Sequence, residues 1–251
     1  MYQNQRSTPG LAMENNFRAA MMSRVLRGVP QSVTNRLLLA LPRLYGLPLI
    51  SYETRMDPDR LADIYSCLDQ VKGIRADVIE CGCFRCGTSI LIAKFLGKEF
   101  AGRKIFACDT FEGFDESELR AERLKGLRGI GSNRYRYNSY DYVTLKIQRL
   151  GYSDVIKPVK GHFRNTLDSL LANSFSFALI DCDLSESVAY SASKVFPSIV
   201  NGGIMLFDDY LSPEFKGVRT TVDKFVVDHE EEIGEHYVLR RMYCVRKASH
   251  Q

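Results

Sequence analysis

The chain has 251 residues, 45% of them hydrophobic and 25% charged, which is the balance of a soluble globular protein and excludes a disordered or fibrous chain. The length fits one decorated domain better than two full ones. A net charge of +4, without a basic run interleaved with aromatics, argues against a nucleic-acid partner.

The chain opens on polar residues, unlike a secretory leader, and points to a cytoplasmic protein. Residues 1–14 read as a polar tail. From Asn15 to Leu41 apolar residues recur at helical spacing around Arg18, Arg24, Arg27 and Arg36, which predicts one or two amphipathic helices broken near Pro30. Such helices cap a core or meet a second copy in a homo-oligomer more readily than they lie on a membrane. The longest apolar run there, Leu37–Leu41, is far too short to cross a bilayer. Residues 1–50 are therefore set apart from a main domain over 51–251.

Asp57 to Val71 predicts a helix with Pro58 in its first turn. Short apolar strands then alternate with amphipathic helices. Strands are expected at Ala76–Ile79, Lys104–Cys108, Ile156–Val159, Phe175–Ile180 and Ile204–Phe207. Helices are expected at Thr88–Leu96, Tyr140–Leu150, Glu186–Ile199 and Gly217–Asp228, and Tyr237–Val245 is β-prone. This alternation implies an α/β fold: a Rossmann-like, doubly wound, mostly parallel sheet of seven strands. Residues 115–150 form a long insertion rich in Arg and Tyr, read as a lid. The seven cysteines include four in or beside apolar strands, and reduced structural thiols are expected, although Cys83-Phe84-Arg85-Cys86 matches a single C-x-x-C pair.

In such sheets ligands sit beyond the carboxyl ends of the strands. The first such loop is Glu80-Cys81-Gly82-Cys83-Phe84-Arg85-Cys86-Gly87-Thr88. Its glycines allow a tight turn and close approach of a ligand. Only two glycines are present, so it lacks the dinucleotide pattern, and a leading acid suits a cationic ligand without phosphate. S-adenosylmethionine, with its amino group and sulfonium, is such a ligand. After the second strand, Asp109 is placed to accept hydrogen bonds from ribose hydroxyls. Asp181-Cys182-Asp183 and Asp208-Asp209 follow two later strands. Adjacent carboxylates there repel unless a cation neutralises them. If those strands are neighbours, Asp181, Asp208 and Asp209 converge on a hard divalent ion, Mg2+ before Zn2+.

Five stretches together resemble a known family: Val78–Thr88, Cys108–Phe114, Gly161–Leu167, Phe177–Ser187 and Pro197–Tyr210. The most specific are Asp181-Cys182-Asp183-Leu184-Ser185-Glu186-Ser187 and Asn201-Gly202-Gly203-Ile204-Met205-Leu206-Phe207-Asp208-Asp209-Tyr210. They are similar to the macrocin-type (TylF/MycF-type) sugar O-methyltransferases, a Mg2+-dependent branch of the S-adenosylmethionine methyltransferases. The resemblance implies a small hydroxylated acceptor, often a sugar of a natural product. It implies metal ligation by Asp181, Asp208 and Asp209. Cofactor contacts would come from Glu80, Gly82, Cys83, Gly87, Thr88 and Ser89, then Asp109, Thr110 and Phe111, then Gly161, His162 and Phe163 near the adenine, and Asp181. Asp181, Asp183 and His162 are, in that order, the candidates for the proton acceptor. The chain departs from the family at Ser185, often aromatic, and in its cysteine-rich first loop. The competing readings are a catechol-like phenol O-methyltransferase, a nicotinamide-dependent oxidoreductase and a non-catalytic binding protein.

Overall fold

The computed structural model describes residues 53–127, 135 and 138–249. The expectations for residues 1–50, and for the middle of the lid, lie outside these residues. Seven strands form one sheet in the order β3-β2-β1-β4-β5-β7-β6. They are β1 (Asp77–Cys81), β2 (Ile105–Asp109), β3 (Ile156–Lys160), β4 (Phe175–Ile180), β5 (Ile199–Phe207), β6 (Ile233–Leu239) and β7 (Met242–Lys247). The first five pair in parallel, and β7 runs antiparallel to both β5 and β6. The expected mostly parallel, seven-stranded sheet is present. Its strand order reverses between β1 and β4, and that switch point opens a crevice at the carboxyl ends.

The central strands β1 and β4 are largely apolar because helices cover both faces, whereas the edge strand β3 carries Lys157 and Lys160 and is only partly buried. Every residue of β4 is buried. On one face lie α1 (Pro58–Val71), α2 (Gly87–Leu96) and, after α3 (Glu116–Leu124) near the cleft, α4 (Tyr140–Arg149). On the other lie α5 (Phe163–Thr166), α6 (Ser185–Val195) and α7 (Lys216–Asp228). Asp57 caps α1 through the backbone N–H of Arg60, with Pro58 in the first turn, as expected. Val143 and Ile147 of α4 are buried in the core, so this part of the expected lid covers the sheet rather than the cleft.

Several boundaries differ from those expected, β1 among them, which runs to Cys81 and takes in Glu80. Helix α6 stops at Val195, and a 3-10 turn over Phe196–Ser198 carries the chain into β5, which starts at Ile199. Pro197 has no N–H to continue a helix. The β-prone stretch Tyr237–Val245 is two strands joined at Arg240-Arg241, with Arg240 at φ 48°. No Gly, Asn or Pro marks that turn, so its sequence hides it. No helix among the described residues is long and apolar enough to cross a membrane.

Candidate active site

A cavity of about 910 Å³ opens over the β1/β4 switch point. Its floor is made by the loops after β1, β2, β4 and β5. Among the described residues, six non-glycines adopt positive φ, and Phe84, Cys86, Phe111, Asp183 and Asp209 all lie in these loops. Backbone strain of this kind gathers where a site over-determines the chain. Gly82, at φ 95°, lets the first loop pass the end of β4: a Cβ there would stand 1.9 Å from the carbonyl oxygen of Asp181. A Cβ on Gly87 would stand 2.5 Å from the backbone of Glu53 and Thr54. These glycines bring the loop after β1 against both the β4 loop and the segment that precedes α1.

Glu80, Gly82, Cys83 and Thr88 line the cavity. Glu80 stands within β1, not after it, and its buried carboxylate accepts a hydrogen bond from the Ser89 hydroxyl. Burial pushes the Glu80 carboxyl up to about 7. Ser89 and Gly87 lie behind the lining, one holding Glu80 and the other packed on Glu53. Asp109 ends β2 and also lines the cavity. Its two oxygens accept from the backbone N–H groups of Phe84, at 2.8 Å, and Phe111, at 2.7 Å. Burial pushes its carboxyl up to about 6 despite those bonds. Thr110 lines the cavity, whereas Phe111 turns into the core against Tyr140. His162 and Phe163 line it, with Gly161 in the turn before them at φ 144°. The half-exposed His162 holds Nδ1 3.6 Å from an Asp115 oxygen.

Because β4 and β5 are neighbours, their ends bring Asp181, Asp208 and Asp209 together, with one carboxylate oxygen from each within 4.8 Å of the others. Asp208 and Asp209 are buried. Burial, together with the adjacent Asp209 charge, pushes the Asp208 carboxyl up to about 6. Burial and the facing Asp208 raise Asp181 well above the usual carboxylate range. Oδ1 of Asp208 is buried with no hydrogen-bond partner. An orphaned acceptor in a cluster of like charges is the arrangement that a hard cation satisfies. Three carboxylates, with no His or Cys in the group, fit Mg2+ better than Zn2+. Asp183 shares the cavity wall, at φ 62°. All seven cysteines are free and buried, and the Sγ atoms of Cys83 and Cys86 lie 3.4 Å apart.

The sequence reading missed the contribution of the segment before β1. Arg60, on α1, donates from Nη1 to Asp208 Oδ2 at 2.5 Å, across a separation no local pattern reveals. Glu53, Thr54, Arg55 and Met56 also line the cavity. Glu53 is buried and accepts from Arg85 Nη1 at 3.1 Å, Tyr142 Oη at 3.2 Å and Lys146 Nζ at 2.5 Å. Beyond the carboxylates, Phe114, Glu118, Ser187, Tyr190 and Phe215 line the far side, and the Ser187 hydroxyl donates to Glu118 at 2.6 Å.

Comparison with known proteins agrees with this architecture. A family model for macrocin-O-methyltransferase (TylF) matches residues 45–236. The 8-demethyl-8-(2,3-dimethoxy-alpha-L-rhamnosyl)-tetracenomycin-C 4'-O-methyltransferase of Streptomyces olivaceus is 26% identical over 183 residues, covering 67% of this chain and 67% of that one. The demethyldecarbamoylnovobiocin O-methyltransferase of Streptomyces niveus is 24% identical over 164 residues, covering 61% and 60%. Among solved structures, the O-methyltransferase NovP superposes with a TM-score of 0.65 at 18% identity, over 88% of this chain and 100% of that one. The calicheamicin methyltransferase CalS11 superposes with a TM-score of 0.61 at 18% identity, over 98% and 97%. At these identities the superpositions speak for the fold.

Proposed function

Because the chain belongs to the macrocin O-methyltransferase family, we propose that it moves the methyl group of S-adenosylmethionine to a hydroxyl of a sugar moiety in a natural product or glycoconjugate, with Mg2+ at Asp181, Asp208 and Asp209. The observation that carries this reading is the convergence of three carboxylates and an orphaned Asp208 oxygen beside the glycine loop, in one cavity. A relative whose name specifies methylation on a rhamnosyl group supports the sugar acceptor.

The cofactor's sulfonium supplies an activated methyl group, so the protein has to align the acceptor oxygen with it and help the hydroxyl lose its proton. A divalent ion bound at the triad would make that hydroxyl more acidic. Asp109, its oxygens already fixed by two backbone donors, keeps lone pairs for ribose hydroxyls. Glu80, held by Ser89, presents a carboxylate from the floor of the cavity to the cationic end of the cofactor. His162 and Phe163 stand beyond β3, where the adenine is expected. Asp181, itself one of the three proposed ligands, is the first candidate to take the acceptor proton, as it lines the cavity against the loop after β1. Asp183 and His162 are the next.

Titration of the protein with S-adenosylhomocysteine, with and without Mg2+, followed by a screen of vicinal-diol sugars against catechols, tests the reading. One-site binding and turnover of a sugar are expected. Turnover of catechols alone would move the acceptor to a phenol, and absence of cofactor binding would remove the proposal. Asp208→Asn is expected to lower Mg2+-dependent turnover by at least about 100-fold while leaving S-adenosylhomocysteine affinity nearly unchanged. A wild-type rate in that variant would overturn the metal assignment.

A further inference from the structure

The carboxylate triad has a built-in cation. Arg60 sits in the first turn of α1, and its side chain is only 13% exposed. All three guanidinium nitrogens are engaged: Nε with Asp57 Oδ2 at 3.1 Å, Nη1 with Asp208 Oδ2 at 2.5 Å and Nη2 with the Arg55 carbonyl at 2.7 Å. Asp57 is itself fixed, because its other oxygen caps α1 through the Arg60 N–H. The planar fork is therefore held in one place before any ligand arrives. Its attraction to Asp208, Asp181, Asp57 and Asp209 raises its already high pKa, and a guanidinium stays charged in any case.

This placement leaves the two oxygens of Asp208 unequal. Oδ2 is taken by Arg60, whereas Oδ1 is buried and has no partner. The charges are also unequal. With a cation bound, all three carboxylates of the triad would be ionised and carry three negative charges, and Arg60 would return one positive charge, which leaves the triad at two; Asp183 adds its charge from the cavity wall beside Asp181. Asp57, 44% exposed and paired with Arg60, and Arg241, 47% exposed and 3.9 Å from Asp209, add one charge of each sign at the solvent edge of the cluster.

We propose that Arg60 is a positioning residue for the metal: a permanent counter-charge that sets the triad at two negative charges, matched to one divalent ion, and that leaves Asp208 a single oxygen for it. This rests on the Mg2+ reading above. Arg60 then remains in place when the ion binds and discriminates against ions of higher charge. An arginine that merely plugs the site would instead leave it, and its removal would favour every cation alike.

The test is a calorimetric titration of the full chain with Mg2+ and with Tb3+, in wild type, Arg60→Met and Arg60→Lys, with no turnover required. Removing one unit charge a few ångströms from the ion is expected to raise Tb3+ affinity relative to Mg2+ on the order of tenfold in Arg60→Met. Arg60→Lys, which keeps the charge but not the fork, keeps the wild-type ratio while both affinities fall together. If Arg60→Met is too unstable to purify without a cation, preferential rescue of its Tm by Tb3+ over Mg2+ reads the same quantity. An unchanged ratio in Arg60→Met, or an equal gain for both ions, overturns the inference and leaves the metal reading standing. Failure of the wild type to bind either ion removes the metal reading itself.

Discussion

Two buried charge clusters flank the glycine loop, and they differ in one respect that separates structure from chemistry. Around Glu53 the carboxylate is satisfied: both of its oxygens receive donors, from Arg85, Tyr142 and Lys146. Lys146 also donates to the Arg85 carbonyl, which ties the loop to α4. Around Asp208 the carboxylates are in excess: among the described residues Arg60 bonds Asp208 and Arg241 stands 3.9 Å from Asp209, and a buried Asp208 oxygen has no hydrogen-bond partner. Burial of charge therefore does not by itself mark a binding site. An excess of one sign with an unsatisfied acceptor does, because only a ligand of the opposite sign completes it.

The largest effect that tests this contrast is on the Glu53 cluster. Glu53→Ala strands Lys146 and Arg85 without their shared carboxylate, and is expected to cost about 3–5 kcal/mol of stability. Chemical denaturation measures it, and a loss below about 1 kcal/mol would show that the cluster is not a fastening of the loop. In the Asp208 cluster the sign reverses. Asp209→Asn removes one of three repelling charges at a position with φ 57°, which Asn tolerates well. Without a cation it is expected to gain about 1 kcal/mol of stability. The same variant is expected to lose the rise in Tm that Mg2+ gives the wild type, so a scan with and without Mg2+ checks both halves. A variant less stable than wild type without Mg2+ would place Asp209 among the fastenings.

The smallest effect concerns Glu80, which is raised from 4.5 to about 7 by burial. Between those values the folded protein keeps a proton that the unfolded chain has released. Stability without cofactor therefore falls as pH rises through that window. Glu80→Gln is expected to flatten this part of the stability–pH curve and to be more stable than wild type above pH 7. An unchanged slope would assign the pH dependence to other groups, Asp109 first, since burial raises it to about 6.

The glycine loop, Asp109 and the triad were legible in the sequence because each follows directly on an apolar strand, and strand ends in this fold converge. Their order along the chain predicts their meeting once β4 and β5 are neighbours. Phe111 shows the limit of that logic: it stands in the right loop, but its left-handed backbone turns it into the core. Arg60 and Glu53 were not legible at all. Both precede β1, and neither lies in a motif with its distant partners, Asp208 for Arg60 and Arg85, Tyr142 and Lys146 for Glu53.

Periodicity and loop chemistry determined the alternating elements, the mostly parallel sheet and the carboxylates at its ends, because these depend on neighbours within one or two turns of chain. The antiparallel hairpin of β6 and β7, the inward turn of Phe111 and the two ion clusters were decided only by the tertiary structure. There, contacts between residues as far apart as Arg60 and Asp208 determine which buried charges are satisfied, and only the packed molecule supplies or withholds the partner that each needs.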